Sequence, residues 1–178
     1  MPRPDATEFH PYYGRYIEKV PDGPIVDVLT SGMEETLSLL RSIPEARADH
    51  RYADGKWSIK EVVGHVIDAE RVFSYRALRF GRKDTTPLAS FEQDDYIPAG
   101  NFGARTLRDL TDEYEAVRHA TIELFRHFDE SQLSLRGTAA DNPVSVRALG
   151  YITAGHEIHH RAILRERYLG QGAPASRA

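Results

Sequence analysis

The chain has no cysteine among its 178 residues, which excludes disulfides, thiolate metal ligands and a cysteine nucleophile. Long apolar runs are also missing. The longest span only a few residues, far short of the ~20 needed to cross a bilayer. Neither sign of charge dominates: 23 Lys and Arg against 27 Asp and Glu leave a net charge of −4. Binding along a phosphate backbone needs a basic surplus, so nucleic acid is not an expected partner, and neither is a membrane. The opening residues, MPRPDATEFHPYYGRYI, contain no apolar segment of a secretory signal. The expected location is the cytoplasm.

What remains is an ordinary globular composition, 40% hydrophobic and 28% charged, in a chain long enough to bury one core without staples. We expect a single domain over residues 1–170 and a small, polar tail over 171–178 that frays. Tyr12, Tyr13 and Tyr16 form an aromatic patch in a short N-terminal helical segment able to pack over the main body.

Four longer helical segments follow. The first runs from about Pro24 to Arg41, with apolar residues at 25, 29, 33, 37 and 40. Its opening, IVDVL, resembles a strand, but no second strand of comparable strength exists to pair with it. The second begins at Ser58, whose pairing with Glu61 makes a capping box, with Trp57 set to pack on Val62, and it ends near Gly81. The third spans about Leu107 to Phe128 behind Thr106 as N-cap. The fourth starts after Ser145 and reaches about Tyr168. Arg161, Arg165 and Arg167 fall in its last turns, where cations complement the helix dipole. The pattern predicts an all-α fold, an antiparallel four-helix bundle. The link from Gly81 to Arg105 is long for such a bundle and mixes aromatics with acids, as expected of a functional cover.

Eight histidines are present. His10 and His50 fall in loops, and His119 and His127 sit beside charged residues on the third helix. The fourth helix differs. At 100° per residue with His156 at zero, Leu149, Ile152 and Ile163 lie within about 40° of it, and His160 lies at about +40°. Two imidazoles one turn apart therefore share the apolar face. Buried ring nitrogens need hydrogen-bond partners or a metal, so the pair is either a satisfied core couple, a surface face or two ligands of one ion. His159, at about −60°, points to the rim. His65, beside Val62, Val66, Ala69 and Phe73 on the second helix, can supply a third nitrogen of a His₃ site with an open position. Asp68, one turn on, is a candidate to orient a ligand.

His156-Glu157-Ile158-His159-His160 also satisfies H-E-x-x-H, in which Glu157 would be the general base of a zinc peptidase. No third histidine follows at metzincin spacing, and no strand is expected beside the helix to hold a peptide. Peptidase is disfavoured.

The stretches Lys56-Trp57-Ser58-Ile59-Lys60-Glu61-Val62-Val63-Gly64-His65-Val66-Ile67-Asp68-Ala69-Glu70-Arg71, Asn142-Pro143-Val144-Ser145-Val146-Arg147-Ala148-Leu149 and Gly155-His156-Glu157-Ile158-His159-His160-Arg161 resemble the DinB-like (damage-inducible) four-helix-bundle family, which includes YfiT-type bacillithiol transferases. The likeness spans roughly Tyr12 to Tyr168. It implies metal ligation by His65, His156 and His160, with zinc or nickel as the usual divalent ion, and a homodimer. It also implies activity of the low-molecular-weight-thiol S-transferase type on a small-molecule substrate, with the thiol as cosubstrate. Metal-assisted hydrolysis with Glu157 or Asp68 as base and a non-catalytic metal-containing stress or binding protein stay open. Arg147, Tyr151, Asp94 and Tyr96 are candidate substrate contacts.

Overall fold

A computed structural model describes residues 2–171; apart from Gln171, the tail expected to fray lies outside the described residues. After two 3₁₀ turns, Ala6–Glu8 and Pro11–Tyr13, the chain forms a short helix α1 (Gly14–Ile17). Three of the four long helices follow as α2 (Ile25–Ser42), α3 (Ile59–Gly81) and, after a short α4 (Gln93–Ala99), α5 (Leu107–Arg126). A single turn α6 (Glu130–Leu133) leads to a hairpin of β1 (Arg136–Ala139) and β2 (Asn142–Ser145). The last long helix α7 (Val146–Ile163) runs into a π-helical turn, Leu164–Tyr168. Among the described residues, no helix is long and apolar enough to cross a membrane.

The helix starts follow local chemistry. Ser58 accepts from the Glu61 amide while the Glu61 carboxylate accepts from the Ser58 amide, a reciprocal cap that satisfies two otherwise orphan donors. Thr106 caps α5 through the Asp109 amide, and Ser145 caps α7 through the Ala148 amide at 2.9 Å. Ser145 is itself fixed, since its hydroxyl also donates to Glu8. Pro24 precedes α2 rather than entering it, with extended backbone angles at the cap position.

The hairpin was not expected. Its strands pair antiparallel from Arg136↔Ser145 to Ala139↔Asn142, and the two turn residues, Ala140 and Asp141, both have positive φ. Tight hairpin turns of this kind normally advertise themselves with Asn-Gly or Asp-Gly. Ala140-Asp141 lacks the glycine, and Pro143 within β2 argues against a strand, so the local signal is absent. The long link after α3 is held to this hairpin: Leu88 donates to Thr138 O and accepts from the Ala140 amide. The link then forms α4 and a 3₁₀ turn, Phe102–Ala104, whose Phe102 ring lies where a Cβ on Gly64 would be.

Packing around the bundle runs α2–α5–α3–α7 and back to α2. The consecutive pairs α2 with α3 and α5 with α7 are therefore diagonal, whereas α3 and α5 lie side by side. The core is lined by Leu29, Ile67, Phe80, Leu110, Leu149 and Ile152, each contributing about 1.5–3 kcal/mol on full burial.

Charges run through this core. Arg118 on α5 is 0% exposed. It donates through Nε and Nη2 to the two oxygens of Glu70 on α3, each at 2.8 Å, and through Nη1 to Leu29 O on α2 and Glu157 Oε2 on α7, each at 3.3 Å. Glu157 also accepts from Thr36 and Arg161, and Arg161 donates to Gly32 O at 3.1 Å. Arg161, read from sequence as a cation complementing the dipole at a helix end, is thus part of a buried cluster joining all four long helices. Removing one partner of such a cluster leaves an uncompensated buried charge. Arg118→Ala is expected to lower stability by about 3–5 kcal/mol in urea denaturation. Arg126→Ala, which breaks the exposed pair with Glu123 on the same helix, should cost less than about 1 kcal/mol.

Candidate metal centre

His156 and His160 stand one turn apart on α7, and His65 lies in the second turn of the adjacent α3. Their rings converge. Centroids are 4.9 Å apart for His65–His156 and His65–His160 and 4.5 Å for His156–His160. Nε2 of His65 is 3.0 Å from Nε2 of His156, and one nitrogen from each ring lies within 4.8 Å of the other two. Two nitrogens bound to one ion at about 2.0–2.1 Å sit on the order of 2.9–3.4 Å apart, so the closer pair already has ligand spacing. A pair at the 4.8 Å limit would have to close by side-chain rotation to reach that spacing.

Burial sets the protonation. It pushes the pKa of His65 down to about 4, with the Asp94 charge opposing slightly. It drives His156 and His160 well below the ordinary value, and each is further lowered by neighbouring histidines. Neutral rings present lone pairs near pH 7. The His65–His156 contact can pair one donor with one acceptor, yet Nδ1 of His160 is buried with no hydrogen-bond partner. An unsatisfied buried nitrogen costs about 1–3 kcal/mol. The donor set, its neutrality and this orphan fit a divalent cation held by three imidazoles.

Aromatic rings frame the centre. Trp57 lies against His65 with centroids 4.9 Å apart, a more intimate role than the staple on Val62 expected of it. Tyr16 of α1 stacks edge-on against both His156 and His159 at 5.3 Å, and Phe73 against His156 at 5.7 Å. This approach of α1 to α7 depends on Gly155, where a Cβ would collide with the Tyr16 backbone.

Two cavities flank the histidines. One of about 270 Å³ is lined by His160, Trp57, Tyr52 and Tyr168. The other, about 340 Å³, is lined by His65, His156, Tyr13, Phe73, Arg76 and Phe91. Asp94 borders both.

The sequence profile of the DinB superfamily matches residues 29–164, a span that holds all three histidines and the four long helices apart from the first turn of α2. The chain belongs to the DinB superfamily. Solved structures similar to this DinB chain carry the same fold. YfiT of Bacillus subtilis, described as a probable metal-dependent hydrolase with an unusual four-helix bundle topology, aligns with a TM-score of 0.71 at 13% identity, over 96% of this chain and 94% of its own. A mycothiol-dependent maleylpyruvate isomerase aligns at 0.66 and 13% identity, over 82% of this chain and 61% of that protein. A DinB-like protein of Bacillus subtilis, YjoA, aligns at 0.61 and 21% identity, over 85% and 93%. No curated protein sequence matches the chain.

The remaining sequence-derived candidates of this DinB chain fall elsewhere, Asp94 apart. Glu157 points away from the rings into the Arg118–Arg161 cluster, where its oxygens are engaged. A carboxylate held by two guanidiniums is not a free base, so the H-E-x-x-H assignment fails on geometry: the residue after His156 is turned about 100° from it. Asp68 is half-buried and makes no hydrogen bond to the three rings; burial raises its pKa, with Arg71 opposing. Arg147 is committed to Glu8 at 2.6 Å. Tyr151 is buried beneath Arg3. Tyr96 is 43% exposed and stacks on Phe91. None of these five lines either cavity. His10, His50, His119 and His127 are exposed, as expected.

The depressed pKa values have a consequence for the metal-free protein. An unfolded histidine titrates near 6.5 and folded His65 near 4, so between these values the unfolded chain binds more protons and stability rises with pH. Urea stability of the metal-free protein is expected to fall as pH drops from 6.5 toward 4. The fall should be shallower in His65→Asn. Equal slopes in the two proteins would contradict the assignment.

Proposed function

We propose that this chain is a metal-dependent enzyme that uses a low-molecular-weight thiol as cosubstrate, of the S-transferase type. The observation that carries the reading is the convergence of three neutral imidazoles, two buried and one half-buried with an unpartnered nitrogen, between two cavities large enough for small molecules. His65, His156 and His160 would hold the ion, with zinc and nickel both suited to imidazole donors. A divalent ion there supplies Lewis acidity, which lowers the pKa of a thiol or water that reaches it.

The chain's own residues do the rest. Trp57, Tyr16 and Phe73 exclude bulk water from the rings, which strengthens every charge interaction inside the site. The two cavities give a thiol and a second substrate separate approaches to one centre. With no cysteine in the chain, a thiol must come from outside. The mycothiol dependence of the isomerase above supports thiol chemistry on this fold. Hydrolysis, the activity described as probable for YfiT, could not use Glu157 as its base, because both of its oxygens are engaged by guanidiniums; Asp94 is the carboxylate that borders both cavities. The same reading has the protein acting on a small molecule in the cytoplasm, as a homodimer.

Elemental analysis of the purified protein should find one divalent ion per chain, lost in His65→Ala and His156→Ala and kept in His119→Ala. The metal-loaded protein should conjugate glutathione or bacillithiol to monochlorobimane, with the two ligand variants reduced to the uncatalysed rate. Conjugation by the variants as fast as by the native chain would remove the transferase reading.

A further inference from the structure

The other arginines drawn into the protein have an anion beside them: buried Arg118 has Glu70 and Glu157, buried Arg161 has Glu157, and half-buried Arg147 has Glu8. Lys60 likewise pairs with Asp49. Arg76 does not. It is 4% exposed, and among the described residues its only hydrogen bond runs from Nη2 to Ala89 O at 2.9 Å. No carboxylate among them lies within ion-pair distance of its guanidinium. Of five N–H donors in a rigid fork, one anchors the link after α3 and four have no acceptor among the described residues.

The position of this unpaired charge is specific. Arg76 lies on α3 on the stripe that carries His65, Ala69 and Phe73, and all four line the larger cavity. Phe91 borders the same space, with the guanidinium 6.0 Å from its ring centroid. Glu92 and Asp94 also border it, and both are exposed.

We propose that Arg76 binds the carboxylate of the substrate, and that the substrate class is a small monoanion with an apolar or aromatic body lying between Phe73, Phe91 and Tyr13. The guanidinium fork matches a carboxylate in bidentate fashion. Glu92 and Asp94 repel further negative charge, which disfavours polyanions such as phosphates. Eleven residues separate His65 from Arg76, about 16 Å at 1.5 Å per residue, less the lean of the Arg76 side chain toward the start of the helix. The anion is therefore remote from the reacting end, where its binding energy can serve orientation. The inference rests on the metal-centre reading only for what happens at that far end.

The test uses 4-phenylbutyrate and its neutral counterpart 4-phenylbutyramide, titrated by calorimetry into the full chain with the metal removed by EDTA, so that no ion competes for the carboxylate. The native protein should bind the acid about tenfold or more tightly than the amide. Arg76→Gln should abolish that preference and Arg76→Lys should keep part of it, because ammonium retains the charge without the fork. Equal binding of acid and amide by the native protein, or an undiminished preference in Arg76→Gln, would overturn the proposal. If circular dichroism shows Arg76→Gln unfolded, the native comparison and Arg76→Lys decide. Acid preference without thiol conjugation would sink only the transferase reading, and conjugation without acid preference only this one.

Discussion

The interaction on which the rest of the molecule depends is the buried ion cluster centred on Arg118. A guanidinium with no solvent exposure survives only if its desolvation is offset by well-placed partners. Glu70, Glu157 and the Leu29 carbonyl supply them from three other helices. The cluster also orients the metal centre. Glu157 and Arg161 repeat the spacing of His156 and His160, one residue further along α7. Holding the first pair toward α2 and α5 turns the second pair, about 100° round the helix, toward α3. Glu70 does the same for His65: its engagement by Arg118 fixes the roll of α3, so that His65 meets the two rings of α7. Charge pairing in one half of the core and imidazole convergence in the other are two consequences of one pair of helix rotations.

The metal centre borrows its dryness from segments outside the bundle. α1 brings Tyr16 onto His156 because Gly155 leaves room for its backbone. The link between α3 and α5 is pinned at Leu88 by the hairpin, at Ala89 by Arg76 and at Phe102 by Gly64. These anchors hold Phe91 and Asp94 at the cavity walls. A long connection thus becomes part of the site without a packed core of its own, as functional loops on rigid scaffolds commonly do.

Arg76 and Arg118 illustrate two uses of a buried arginine. Arg118 is saturated by protein acceptors and serves specificity of packing. Arg76 faces a cavity with most of its donors free, and neutral rings competent for a cation line the same cavity toward the start of α3. A site with a potential positive ion at one end and an unpaired guanidinium at the other is electrostatically built for anionic ligands.

Much of this was legible in the chain itself, because helix starts and faces are written in local spacing. The Ser58–Glu61 box, the Thr106 and Ser145 caps and the shared face of His156 and His160 need only neighbours three or four residues apart. The pairing of those two with His65 was within reach because each lies on an apolar stripe. Tertiary structure alone decided the rest. Glu157, Arg161 and Arg147 read as available polar groups in sequence, and only long-range partners, Arg118, Gly32 and Glu8, reveal that they are spent in the core. The hairpin escaped notice because Ala140 and Asp141 adopt left-handed angles that surrounding contacts impose. The bundle's diagonal connectivity and the unpaired state of Arg76 depend on which distant segments pack together, and no local periodicity encodes that.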